Sequence, residues 1–343
     1  MAFSNVLGQE RAKRFLAKVM AREKIPHAYL FTGISGIGKT TTARALAKAL
    51  NCRQAVDGEG CGHCMPCRQL KSGNFPDFLT IRPQGRNIKI NQIRDFQRTL
   101  SFAPVSGRYR VSVIDRAESM TAEAANAFLK TLEEPPPGNI LILNTTESYD
   151  LLPTIVSRCQ RVPFQPLPVD GMIDWLANER DLNVETATIL AMISAGSLGR
   201  VLLMMDNDFL NKRKDWLVRL VELPGLSNEK AFAMGLECAE EGGKAGNDMS
   251  EVWGGGLRDM LSVWETWYRD LLLVKIGGMD HLIVNVDFSS ELKNTVDNFK
   301  IDNLWKSVFI LDQAQRDLHQ MRNTKLVMEF TVLRLNELCA RVG

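Results

Sequence analysis

The first half of the chain alternates short apolar runs, rich in β-branched and aromatic residues, with longer segments whose apolar positions recur every three or four residues. The short runs predict strands at Ala28–Thr32, Phe78–Arg82, Tyr109–Asp115, Ile140–Asn144 and Arg161–Phe164. The run Val111-Ser112-Val113-Ile114 is mostly β-branched, as a buried central strand requires. Between the runs lie helical patterns. In one of them Ala125, Phe128, Leu129 and Leu132 share a face at i, i+3, i+4 and i+7. That helix must stop at Glu134, because Pro135-Pro136-Pro137 supplies no backbone donors and clashes with the preceding turn. Strands that alternate with helices predict an α/β fold, a parallel sheet with helical crossovers.

The pattern changes after Phe164-Gln165-Pro166-Leu167-Pro168, which reads as a linker. Three short helical patterns follow and end near Asp206, with no β-type alternation. From Asn207 the chain is nearly all helical, with one break at Gly277-Gly278-Met279-Asp280. These shifts predict three domains: an α/β domain over 1–166, a small helical lid over 167–206 and a larger all-helical domain over 207–343. Trp253, Trp264, Trp267, Tyr268 and Trp305 fall at helical spacings, so they are expected to pack rather than to stack on a ligand.

Composition alters this picture little. The 343 residues are 45% apolar and 24% charged, ordinary for a globular protein. The net charge is only +2, so a basic surface for nucleic acid must be local. No charged segment followed by an apolar run opens the chain, and no apolar stretch has membrane-spanning length. A cytoplasmic protein without a membrane partner is expected. Of seven cysteines, Cys159, Cys238 and Cys339 are scattered, as buried small hydrophobes in a reducing compartment would be.

Two local patterns do change the picture. Gly33-Ile34-Ser35-Gly36-Ile37-Gly38-Lys39-Thr40 is a complete phosphate-binding loop, set between the strand at Ala28–Thr32 and a helix over Thr40–Leu50. Gly33, Gly36 and Gly38 let backbone N–H groups turn toward phosphate, and the helix N-terminus adds partial positive charge. Lys39 is placed to reach the outer phosphates and Thr40 to hold Mg²⁺, with Thr41 beside it. The competing reading is a glycine turn without a ligand. The second pattern is Cys52, Cys61, Cys64 and Cys67, spaced C-x8-C-x2-C-x2-C. Four thiolates suit one tetrahedral Zn²⁺ and leave no open position, so a structural knuckle is expected. Gly60, Gly62 and Pro66 supply its turns, and His63 is a reserve ligand. Free thiols and a redox pair are the weaker readings.

Val111-Ser112-Val113-Ile114-Asp115 is an apolar strand ending in an aspartate, a placement suited to holding Mg²⁺ through water. In ATPases of this general kind the next residue is usually a glutamate that polarises water. Here it is Arg116, with Glu118 two residues further on. Nucleotide binding is therefore expected, and hydrolysis by this chain is not.

Several segments together resemble the AAA+ clamp-loader subunits of DNA replication. Val6-Leu7-Gly8-Gln9 and Pro26-His27-Ala28-Tyr29-Leu30-Phe31 look like the adenine-side box and first strand of that family. The cysteine spacing is that of its bacterial members. Ala124-Ala125-Asn126-Ala127-Phe128-Leu129-Lys130-Thr131-Leu132-Glu133-Glu134-Pro135-Pro136 is specific to them, and Ser157-Arg158-Cys159 is their SRC motif. The resemblance is strong over about residues 1–206 and weak beyond.

The resemblance implies an AAA+ module with a zinc knuckle, a helical lid and a C-terminal collar. It implies a hetero-oligomeric ring of related subunits within a DNA polymerase holoenzyme that opens a sliding clamp and places it on primer-template DNA. Arg158 would then be a finger for a neighbour's ATP, and Thr145, after the fourth strand, the sensor 1 residue. Gly196-Ser197-Leu198-Gly199-Arg200 has a glycine where motor subunits usually carry the sensor 2 arginine, and the shifted arginine leaves the role of Arg200 open. Together with Arg116, this points to a stator rather than a motor. The rival reading is an ATP-hydrolysing motor subunit or a related AAA+ ATPase. A metal-dependent nuclease or deaminase fails, because the cysteine site has no spare coordination position. Arg94 and Arg98, one helical turn apart and preceded by Arg86 and Lys89, are candidates for tracking a DNA backbone, against the plain reading of a solvated helix face.

Overall fold

The computed structural model describes residues 3–22, 25–55, 58–244, 256–277, 282–320 and 322–339. They form two compact units, one of Met1–Leu167 with Ser197–Gly199, the other of Pro168–Gly196 with Arg200–Gly343. The boundary near Leu167 falls inside the linker read from the sequence.

The first unit is a five-stranded sheet of order β2-β3-β4-β1-β5, parallel throughout. Its strands are β1 (Ala28–Thr32), β2 (Phe78–Ile81), β3 (Arg110–Ile114), β4 (Asn139–Thr145) and β5 (Gln160–Pro163). Its helices are α1 (Glu10–Ala21), α2 (Lys39–Asn51), α3 (Met65–Ser72), α4 (Ile90–Leu100), α5 (Ala122–Glu133) and α6 (Pro153–Val156). Central strands of a parallel sheet are covered on both faces, which is why β3 and β4 are buried along their whole lengths. On one face Tyr29, Phe31, Val111, Val113, Ile140 and Ile142 pack with Leu16, Leu46 and Leu70 from α1, α2 and α3. On the other, Leu30, Ile114, Leu141 and Leu143 meet Ile93 and Phe96 of α4 and Phe128 and Leu132 of α5. The α5 helix ends at Glu133, one residue before the expected stop at Glu134, which precedes Pro135 and is thereby kept out of helical backbone.

A buried ion pair fixes the segment between α4 and β3. Asp77 is fully buried and accepts hydrogen bonds from the amides of Val105, Ser106 and Gly107 at 2.8, 2.6 and 2.8 Å. Arg110 lies 3.3 Å from the same carboxylate and donates to the carbonyls of Thr99, Phe102 and Ala103.

The second unit is helical: α7 (Val169–Arg180), α8 (Val184–Ile193), α9 (Leu198–Asp206, whose first two residues belong to the first unit), α10 (Phe209–Glu222), α11 (Asn228–Lys244), α12 (Leu257–Ile276), α13 (Ser289–Val296), α14 (Ile301–His319) and α15 (Thr324–Leu338). Trp264, Trp267 and Tyr268 of α12 are buried, as their spacing predicts, and the Trp264 indole donates to the Trp216 carbonyl at 3.1 Å. Trp305 breaks the expectation. It is 58% exposed and lines an apolar groove with Phe309 and Phe330, because α14 and α15 leave one face of each helix uncovered. Trp253 and the break residues Gly278, Met279 and Asp280 lie outside the described residues. Arg213 is fully buried and held by Asp287 at 2.8 and 2.9 Å and by Asn285 at 2.6 Å. Among the described residues no single helix is long and apolar enough to cross a membrane.

Candidate nucleotide, metal and arginine sites

The loop from Gly33 to Gly38 joins β1 to α2 at the end of the sheet where parallel strands leave a crevice. Gly33, Gly36 and Gly38 have φ of 138, 75 and 104°, conformations that other residues adopt only under strain. Lys39 is buried, and its ammonium donates to the carbonyls of Gly33 and of Ile34, the latter at 3.0 Å. Thr40 is half-buried at the start of α2, and Thr41 is exposed. Asp115 follows β3, facing Thr40 across the crevice through one side chain. The Asn144 amide donates to Thr40 Oγ1 at 2.9 Å and to Asp115 Oδ1 at 3.2 Å. Arg82 Nε sits 3.7 Å from the other oxygen of Asp115. Arg116 turns the chain away from the strand in the left-handed region, φ 57°.

Thr145 is buried at the end of β4, where its hydroxyl donates to the Glu147 carbonyl at 3.0 Å. The side chain that joins Thr40 to the strand-end aspartate Asp115 is its neighbour Asn144. Its signal was present in the sequence, as the one polar residue of Ile140-Leu141-Ile142-Leu143-Asn144. A buried amide in such a strand needs partners; the site supplies two to its nitrogen, while its Oδ1 has none among the described residues.

Gly199 belongs with this loop. Its amide donates to the Gly36 carbonyl at 2.8 Å, and Ser197 Oγ donates to the Ser35 carbonyl at 2.8 Å. A Cβ at position 199 would lie 2.7 Å from Gly36 Cα, so a side chain there displaces the phosphate loop. This gives a physical reason for glycine at that position.

The α2 helix ends at Asn51, which is clamped to the strand β3 side of the unit. Its amide nitrogen donates to the carbonyls of Ala47 and Tyr109, and its oxygen accepts from the Tyr109 amide at 2.9 Å. The next residue, Cys52, begins the cysteine cluster. The sulfurs of Cys52, Cys61, Cys64 and Cys67 all lie within 4.8 Å of one another, with Cys52 and Cys64 3.9 Å apart. Four sulfurs about 2.3 Å from a tetrahedral Zn²⁺ would be separated by about 3.8 Å. Amides of Gln54 and Cys61 donate to Cys52 Sγ, and that of Cys64 to Cys61 Sγ, where it holds the Cys61 thiol below its usual range. At Cys64 burial opposes ionisation, but the amides of Cys67 and Arg53 outweigh it and bring the thiol down to about 6. At Cys67 burial dominates and pushes the thiol up. His63 stays outside the four sulfurs, with its ring nitrogens near the Cys61 carbonyl and Gln54 Oε1. Cys159, Cys238 and Cys339 are buried, and burial pushes all three thiols up, as expected of small hydrophobes.

Arg158 follows the short helix α6 at an exposed edge. Its guanidinium donates to the Thr154 carbonyl at 3.0 Å and to Glu133 Oε1 at 2.6 Å. The two side chains are 36% and 50% exposed.

These sites carry the marks of one lineage. A family model described as DNA polymerase III, delta subunit matches residues 8–168. The delta-prime subunit of DNA polymerase III from Bacillus subtilis (strain 168) is 32% identical over 335 residues, covering 96% of each chain. The chain belongs to the DNA polymerase III delta-prime family. The tau subunits of Bacillus subtilis (strain 168) and Escherichia coli (strain K12) are each 37% identical, over 57% and 60% of this chain. The chain spans about a third of their length, 35% and 32%. A solved DNA polymerase III gamma subunit-related protein from Thermotoga maritima covers 95% of this chain and 99% of its own, at 23% identity and a TM-score of 0.46.

Arg94 and Arg98 are exposed on α4, and Arg98 pairs with Asp95 at 3.1 Å, both side chains largely in solvent. Reading the sequence missed three residues: Asn144, and the carboxylates Asp77 and Glu133 that hold Arg110 and Arg158.

Proposed function

We propose that the chain is the stator of a clamp loader. It binds ATP with Mg²⁺ at Gly33–Thr41, Asp115 and the Asn144–Thr145 strand end, turns it over little, and supplies Arg158 in trans to ATP on a neighbouring subunit. The observation that carries this reading is the exposed guanidinium of Arg158, held among the described residues by two hydrogen bonds at the edge of the unit. A planar fork of that kind can meet phosphate oxygens bidentately. Placed across a subunit boundary, it makes hydrolysis depend on correct assembly. Arg116 in place of an acid after Asp115 supports the stator over the motor. The motor reading draws on the Lys39, Thr40, Asp115 and Asn144 constellation, which has the residue types that hydrolysis needs.

In this reading the partners are related subunits in a hetero-oligomeric ring, a sliding clamp and primer-template DNA, in the cytoplasm. Residues 167–206 act as a lid and 207–343 as a collar. Arg94 and Arg98 face the DNA backbone. Cys52, Cys61, Cys64 and Cys67 hold one structural Zn²⁺, so metal analysis is expected to give about one zinc per chain. The deciding experiment is Arg158→Ala in the reconstituted complex. Assembly should persist while DNA-stimulated ATP hydrolysis by the partner subunits falls sharply. Unchanged hydrolysis and clamp loading would remove the stator's mechanism.

A further inference from the structure

Glu133 is the last residue of α5, a place where the helix dipole disfavours an acidic side chain. It is also half-exposed, so core packing does not account for it. Among the described residues its partner is Arg158, at 2.6 Å, joined across 25 residues of sequence. A short, charge-assisted bond between two exposed side chains adds little to stability, yet it restricts the rotamers of a long arginine. The second bond, to the Thr154 carbonyl, fixes the other terminal nitrogen of the guanidinium. Together they use two of its five N–H donors, and three have no partner among the described residues.

We infer that Glu133 is a positioning residue, which orients the Arg158 guanidinium toward a phosphate on the adjoining subunit. The inference rests on the proposal that Arg158 acts in trans. Without the carboxylate, Arg158 samples several rotamers and spends less time aligned with the transferring phosphoryl group. Misplacement of a catalytic group by about an ångström can cost on the order of a hundredfold in rate. Nucleotide affinity at the neighbouring site is set by that subunit's own loop, so the loss should fall on kcat and leave KM for ATP nearly unchanged.

The test uses the complex reconstituted with its partner subunits, primed DNA and ATP, comparing Glu133→Ala, Glu133→Gln, Arg158→Ala and the double variant Glu133→Ala/Arg158→Ala. Assembly of each is checked by size. Glu133→Ala should lower DNA-stimulated kcat about three- to tenfold, at the lower end of that range of misplacement effects. Glu133→Gln, whose carbonyl still accepts from a guanidinium, should retain more activity. The double variant should be no worse than Arg158→Ala, because Glu133 has nothing left to orient. If Glu133→Ala keeps full kcat while Arg158→Ala loses it, the positioning role is wrong and the finger stands. Additive losses in the double variant, or a loss that tracks failed assembly, would likewise overturn the inference. If Arg158→Ala itself loses nothing, the fault lies with the stator reading.

Discussion

Arg110 and Arg158 belong to the same unit, and each is paired with one carboxylate and with backbone carbonyls at a helix end. Their surroundings differ. Arg110 is 3% exposed and its partner Asp77 is fully buried, whereas Arg158 and Glu133 are 36% and 50% exposed. Around Arg110 the chain is folded so that three carbonyls and a carboxylate meet the guanidinium, and three amides meet the carboxylate. Around Arg158 two bonds form among the described residues. The same chemistry thus closes a loop in one place and presents a cation in the other. What separates them is how many donors remain facing water.

That contrast can be broken or sharpened by substitution. The largest effect should come from Arg158→Lys in the assembled complex. An ammonium keeps the charge and loses the fork, so partner hydrolysis should be rescued poorly. Arginine fingers contribute on the order of 10³–10⁵ in rate, a loss that several ring sites will dilute. Full activity with lysine would mean that charge alone suffices. Next in size is Asp77→Ala, which strands Arg110 in the interior and should cost about 3–5 kcal/mol, read as a lower urea midpoint of the chain. A shift worth less than about 1 kcal/mol would place that pair with the exposed ones.

Lys39→Ala should weaken ATP binding about ten- to a hundredfold, the size of a lost charged hydrogen bond of about 1.5–3 kcal/mol. Binding can be measured on the isolated chain. Robust turnover there, abolished by the same substitution, would favour the motor reading. The smallest effect is Glu133→Ala on stability. For an exposed pair it should stay within about 1 kcal/mol in the same urea titration.

The strands were legible in the sequence to within one residue at each end, because β-branched runs bounded by turn residues have few alternatives. The glycine loop and the clustering of the four cysteines were equally plain, since both are local in sequence. The missed residues all act at a distance. Asn144 reaches Thr40 across 104 residues, Glu133 reaches Arg158 across 25, and Asp77 reaches Val105 across 28. Spacing along the chain does not report such encounters. Trp305 failed for a related reason. Helical periodicity finds a face but does not say whether another element covers it.

The clamp at Asn51 has a kinetic consequence. It ties the end of α2 to Tyr109 one residue before the first cysteine of the cluster, so the helix behind the glycine loop is anchored to the sheet independently of any metal the cysteines would hold. Chelation should therefore open the knuckle as a small cooperative unit of its own. In a deuterium-labelling experiment, amides around Cys61 and Cys64 would gain label within the first time points after chelator is added. Those of Leu46 and Ala47 would keep the slow exchange of the core.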